Sequence, residues 1–358
     1  MSRENKPAPH GRGAASNPAN RYHLHQVEAT DDGWGSLEPP PPALKTTLQA
    51  DTSRSVISRN QSPDIPFDRS INPYRGCEHG CIYCYARPSH AWLDLSPGLD
   101  FESRLLHKPE APELLRGELS QSGYRCAPIA LGANTDVYQP VEREQLLTRR
   151  ILEVLDEYSH PVMLITKSAL IERDLDILSR MARHNLVQVA ISFSTLDSNL
   201  ARRLEPRAAT PRRRLETLKR LAQAGVPTGV LVAPIIPVLT DGELERILQG
   251  AREAGGVFCR YTLLRLPGEV AELFEAWLEE HVPGQAGRVM NRLRECRQGR
   301  VNSSRFNDRM GGSGDYAGLI AQRFTLATRR LGFADGLELS CQRFRSPLDG
   351  GQMDLFVS

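Results

Sequence analysis

The stretch Asn72-Pro73-Tyr74-Arg75-Gly76-Cys77-Glu78-His79-Gly80-Cys81-Ile82-Tyr83-Cys84-Tyr85 gathers three of the chain's seven cysteines. Their spacing is C-x3-C-x2-C. Thiolates are good iron ligands, and cysteines clustered on one loop can wrap an iron–sulfur cubane from one side. A cubane asks for four ligands, but the next cysteine is Cys126. Three thiolates therefore leave one iron open to an external ligand. The amino and carboxylate groups of S-adenosylmethionine suit such an iron, and an electron from the reduced cluster can break a C–S bond of its sulfonium. Two other readings stay open on spacing alone. One is a zinc loop with His79 as a fourth ligand. The other is three unrelated core thiols. Structural zinc sites usually bring two separated ligand pairs, and no second pair is evident.

The rest of the composition agrees with a cytoplasmic protein. An odd number of cysteines, three of them adjacent, does not resemble a secreted disulfide framework. No apolar run is long enough to span a bilayer, and the first twenty residues hold no apolar signal-peptide core. The formal net charge is +2, so no global attraction to polyanions follows. Forty of the 45 basic residues are Arg, which fits codon bias in a GC-rich genome and makes the rare Lys167 stand out.

Outward from the cysteines the chain divides into four parts. Residues 1–64, with Pro39-Pro40-Pro41-Pro42, read as a mostly irregular extension that could dock through Trp34. Residues 65–283 alternate apolar runs with helical periodicity. Strands are expected at Ser70–Tyr74, Ile129–Gly132, Val162–Thr166, Val187–Phe193, Thr228–Ala233 and Cys259–Leu264. Amphipathic helices are expected around Leu147, Ile151, Val154, Leu155 and Tyr158, around Leu215, Leu218, Leu221 and Ala222, and around Leu244, Ile247, Leu248 and Ala251. Thr210-Pro211 reads as a helix start and Gly225 as a stop. This alternation predicts an α/β fold with a parallel sheet. Six strands are too few to close a barrel of eight, so a partial, open (β/α)6 barrel is expected. Residues 284–345 read as a helical accessory region and 346–358 as a flexible tail.

Cys77, Cys81 and Cys84, with the aromatic Tyr83 before the last, resemble the signature of the radical SAM superfamily. Further phrases resemble a bacterial branch related to spore photoproduct lyase: Thr135-Asp136-Val137-Tyr138-Gln139-Pro140-Val141-Glu142, Ile165-Thr166-Lys167-Ser168, Thr195-Leu196-Asp197, Leu204-Glu205-Pro206-Arg207 and Ala233-Pro234-Ile235-Ile236-Pro237. The resemblance implies a [4Fe–4S] cluster, S-adenosyl-L-methionine and a flavodoxin or ferredoxin as electron donor. It brings no substrate with it.

Ligands of parallel β/α folds bind at the carboxyl ends of the strands. Asn134, Thr135 and Asp136 follow the second strand, Lys167 the third, and Arg265 the sixth. Ser192 and Ser194 share one face at the end of the fourth. Lys167 can pair with a carboxylate, and the resemblance gives a Lys and a Ser at such positions to the cofactor. Tyr83, Asn134, Lys167, Ser192 and Ser194 are thus candidate cofactor contacts. Two family features are missing. Gly132-Ala133-Asn134 stands where many members carry Gly-Gly-Glu, leaving the amino-group contact to Asn134 or Asp136. No cysteine follows the second strand as the hydrogen donor of photoproduct lyases, so their reaction does not carry over.

Arg202, Arg203, Arg207, Arg212, Arg213 and Arg214 form a basic run, open to two readings: a grip on nucleic-acid phosphates or a solvated helix start. The final residues Gln352, Leu355 and Phe356, after Gly350-Gly351, look like the peptide by which bacterial repair proteins dock on the replication sliding clamp. The expected function is a lyase-like or oxidoreductase radical enzyme with an open substrate, with nucleic-acid repair or modification as its narrower form. The alternative from another class is a non-catalytic, metal- or cluster-dependent DNA-associated binding module.

Overall fold

The computed structural model describes residues 8–22 and 44–345. Six parallel strands form consecutive neighbours of one open sheet: β1 (Arg69–Ile71), β2 (Ile129–Leu131), β3 (Val162–Thr166), β4 (Val187–Phe193), β5 (Thr228–Ile235) and β6 (Phe258–Leu263). The edge strand Ile57–Arg59 adds antiparallel to β1. The fold is the expected α/β class with a mostly parallel sheet. Its central strands are rich in apolar residues, buried as sheets covered on both faces require: Val162, Leu164, Val187, Val189, Ile191, Val230 and Val232 are at most 1% exposed.

Two strand boundaries moved for backbone reasons. The first strand ends at Ile71, and Tyr74–Arg75 pairs instead with Arg104–His107 in a separate three-stranded sheet. Pro73 lies between; it has no N–H to donate and restricts Asn72. The fifth strand runs on to Ile235, where it pairs with Leu263, so Pro234 falls within it.

The helices follow their apolar stripes. Leu147–Glu157 buries Leu147, Ile151, Val154 and Leu155. Pro211–Gln223 starts as its sequence suggests, with the Thr210 hydroxyl accepting from the Arg213 N–H. Leu244–Glu253 buries Leu244, Ile247, Leu248 and Ala251. Beyond it, Asp315–Leu331 is tied to that helix by Arg323 and Glu245 at 2.7 Å. Among the described residues, no helix is long and apolar enough to cross a membrane.

The first 64 residues, expected to be mostly irregular, contain strands at Thr47–Ala50 and Ile57–Arg59. Residues 12–14 also pack against the cysteine loop. A Cβ on Gly13 would lie 1.9 Å from the Gly80 carbonyl oxygen, so only glycine permits this approach. Trp34 lies outside the described residues.

Candidate active site

The cysteine loop leaves β1 and is held from several sides. Gly76 and Gly80 both take positive φ, which lets the chain turn back twice within five residues. The Gln139 side chain accepts from the Glu78 N–H at 2.8 Å and donates to the Gly76 carbonyl at 3.2 Å. Arg87 is wholly buried. It donates to the carbonyls of Gly80, Cys81, Pro97 and Gly98 and pairs with Glu102 at 2.5 Å. The same Glu102 carboxylate accepts from the Gly13 and Ala14 N–H groups, each at 2.9 Å. A buried charge with this many partners stabilises one loop conformation.

All seven cysteines are free thiols, and Cys77 and Cys81 are buried. Burial pushes the thiols of Cys77, Cys81 and Cys84 up. Ligation by iron would have to expel those protons. Lys167 and Arg214 oppose the shift at Cys81, as Arg87 and Lys167 do at Cys84. These cations suit thiolates and an anionic cluster. Among the described residues, no three His, Cys, Asp or Glu side chains are gathered as ligands of a single metal ion. Zinc thiolates must all lie about 2.3 Å from one centre. A cubane instead binds each thiolate at a different iron, which three cysteines spaced along one loop can supply. His79, the other zinc candidate, faces the Asp136 carboxylate at 3.3 Å.

The rim beside the loop centres on a residue that motif reading did not assign. Glu205 follows the helix Ser198–Leu204, whose start is capped by Asp197. Its carboxylate is fully buried. It accepts hydrogen bonds from Tyr83 and from Ser194, the latter at 2.7 Å. It pairs with the buried Arg214 and with Lys167, at 3.3 Å. Burial would raise this carboxyl, but Arg214, Lys167 and the two hydroxyls overcome it and hold the group well below the usual carboxylate range. Lys167 also donates to the Ser192 hydroxyl at 2.8 Å and to the Ala233 carbonyl at 3.1 Å.

Tyr83, Lys167, Ser192 and Ser194 are therefore brought together, around Glu205. Asn134 is half-buried in the loop after β2 and is not part of that network. Asp136 is occupied by protein groups: it accepts from the Thr166 hydroxyl and the Lys167 N–H, both at 2.7 Å. Gly132 keeps the loop close to β3, since a Cβ there would lie 2.1 Å from the Ile165 carbonyl oxygen.

Most of the basic run is consumed internally. Arg207 pairs with Glu78, Arg212 with Glu216, Arg213 with Glu172 and Arg214 with Glu205. Arg203 donates to the His281 carbonyl. These pairings favour a structural role for the run over a free phosphate grip. Gln352, Leu355 and Phe356, the sliding-clamp candidates, lie outside the described residues.

Comparison with known proteins agrees with this geometry. The Radical SAM superfamily model matches residues 71–251. An uncharacterized Mycobacterium tuberculosis protein is 36% identical over 233 residues, which cover 64% of this chain and 67% of that protein. An uncharacterized Methanocaldococcus jannaschii protein is 28% identical over 213 residues, covering 60% of this chain and 76% of the other. Among solved structures, a tyrosine-to-phenylalanine mutant of spore photoproduct lyase aligns with a TM-score of 0.58 at 14% identity, over 85% of this chain and 88% of that one. A double mutant of the same lyase, with bound AdoMet and dinucleoside spore photoproduct, aligns with a TM-score of 0.50 at 14% identity. That alignment covers 66% of each chain, just under two thirds of the lyase. At such identity the likeness is one of fold.

Proposed function

Because this chain belongs to the radical SAM superfamily, we propose that Cys77, Cys81 and Cys84 hold a [4Fe–4S] cluster and that S-adenosylmethionine binds beside it. When bound, the cluster would supply the electron that splits the sulfonium into methionine and a 5′-deoxyadenosyl radical, which would take a hydrogen atom from the substrate.

The remaining work falls to the chain's own side chains. Lys167 pairs with the methionine carboxylate of the ligand. Glu205 aims Lys167 with the oxygen that also accepts from Tyr83 and Ser194, while Arg214 holds its other oxygen. Ser192 and Ser194 offer hydroxyls to the ligand, and Asn134 an amide to its amino group. Buried walls around Cys77 and Cys81 keep water from the reacting atoms. The observation that carries this reading is the position of the cysteine loop, with Cys77 and Cys81 buried and Cys81 and Cys84 within reach of the Lys167 charge, beside the Lys167–Glu205 pair.

A one-electron donor such as flavodoxin or ferredoxin would reduce the centre. A cytoplasmic setting suits seven unpaired thiols. A nucleic-acid substrate is the narrower form of the proposal, supported by the fold shared with a lyase that acts on a spore photoproduct. The test is anaerobic reconstitution of the full chain. Iron bound in roughly the four-per-chain ratio of a cubane, with 5′-deoxyadenosine formed on reduction with S-adenosylmethionine, supports the enzyme. Iron and turnover that persist in Cys77→Ala, Cys81→Ala and Cys84→Ala would overturn it. A colourless zinc protein without turnover would favour the binding module.

A further inference from the structure

After the helix Pro283–Glu295 the chain folds back against the end of β6 and encloses a cavity of about 250 Å³. Its lining includes Arg297, Arg300 and Arg305, the Ser303 hydroxyl and the Asn302 amide, with Asp308 as its one carboxylate. Arg297 is 2% exposed. Its guanidinium donates to the carbonyls of Leu263, Leu264, Asp308 and Arg309. Those four bonds leave one of its five N–H groups, on Nη1, unused.

Among the described residues, no carboxylate lies within ion-pair distance of Arg297. Two other buried arginines differ: Arg87 pairs with Glu102 and Arg214 with Glu205. Carbonyls satisfy hydrogen bonds but do not cancel a charge, so a buried guanidinium without a counter-ion is costly. Burial pushes Arg297 down to about 10, and the charge of Arg265 adds to this. Arg300 and Arg305 stand exposed at the same cavity and also lack ion-pair partners among the described residues. Asn302 Oδ1 is buried without a hydrogen-bond partner; it can accept from a hydroxyl. The cavity thus offers an excess of positive charge, donor groups and one free acceptor.

Arg265, which follows β6, lies between the cavity's Arg297, on which its charge acts, and the cysteine loop. The Arg265 guanidinium lies over the Tyr85 ring at 4.7 Å, next in sequence to Cys84. It is close enough to Arg309 for that charge to disfavour its own, and its charge in turn disfavours that of Arg297.

We propose that this cavity binds a phosphate group and so anchors a phosphorylated substrate on the β6 side of the cysteine loop. Planar guanidinium forks match phosphate oxygens, and charge-assisted bonds to them are strong. The anchoring rests on the radical chemistry proposed above; the phosphate binding does not.

The test is calorimetric titration of the cluster-loaded full chain with inorganic phosphate, with adenosine monophosphate and with a short single-stranded oligothymidylate. Arg300→Gln and Arg305→Gln, singly and combined, probe the site, since both side chains are exposed. The expected result is binding of at least one probe, weakened at least about tenfold in the combined variant, with an unchanged thermal midpoint. Binding of phosphate and nucleotide supports a small phosphorylated ligand. Binding of the oligonucleotide alone, falling steeply with salt, supports a nucleic-acid backbone. No binding of any probe, or equal affinity in the combined variant, overturns the proposal. If wild-type protein binds phosphate but forms no 5′-deoxyadenosine, the radical proposal fails while the phosphate site stands.

Discussion

The Lys167 ammonium lies 3.3 Å from the Glu205 carboxylate, whose other oxygen is paired with the buried guanidinium of Arg214. One carboxylate thus balances two cations beneath the cysteine loop. Removing either partner of such a buried pair leaves an uncompensated charge. Arg214→Ala is therefore expected to destabilise the apo chain by about 3–5 kcal/mol. Replacing both residues, as Glu205→Leu with Arg214→Met, should cost less than Arg214→Ala alone. Urea unfolding midpoints of the three proteins check the order.

Lys167 is expected to act on the ligand rather than on iron retention. Lys167→Met should leave the iron content of reconstituted protein unchanged and weaken S-adenosylmethionine binding by about tenfold or more, the worth of a hydrogen bond to a charged group. Equilibrium binding and iron analysis on the same sample separate the two effects. Loss of iron with unchanged ligand affinity would contradict the assignment.

Gly13 and Gly80 meet without room for a side chain. Gly13→Ala would force a methyl to 1.9 Å from the Gly80 carbonyl oxygen, so the segment or the loop must shift. A cost of about 1–3 kcal/mol is expected, with faster loss of iron to a chelator. Gly117 supplies the opposite case. It lies in the helix Ala111–Leu119, and a Cβ there meets nothing within 4 Å. Gly117→Ala should stabilise by about 0.5–1 kcal/mol and leave iron retention as it was.

His160 makes stability depend on pH. Its ring is buried, with Nε2 2.7 Å from the Tyr124 hydroxyl and Nδ1 3.0 Å from the Pro161 carbonyl. Burial pulls its pKa down to about 4, and the Arg69 charge adds to this. Between about pH 6.5 and pH 4 the unfolded chain binds a proton that the folded one does not, so stability falls as pH falls. From pH 7 to pH 5 this group alone should remove about 2 kcal/mol. His160→Gln should flatten that part of the profile, read as urea midpoints across the window.

The sequence by itself determined the layers of this protein. Predominantly apolar runs such as Val162–Thr166 and Val187–Phe193 became central parallel strands with the expected bounds, because a strand buried on both faces is legible in its own composition. Local rules also sufficed for the helix starting at Pro211 and for the tight cysteine spacing. Only the tertiary structure decided what surrounds those cysteines. The loop is shaped by Gln139, Arg87, Glu102 and Gly13, residues 6 to 89 positions from the groups they hold. The basic run was ambiguous in sequence because a charge's role depends on the carboxylate it meets, and Arg213 and Arg214 meet Glu172 and Glu205 only after folding. Glu205 stood within a recognised phrase, yet its importance comes from the two cations and two hydroxyls that converge on it. Periodicity is written in neighbouring residues and can be read from them; electrostatic pairing is a property of distance in space, which folding alone sets.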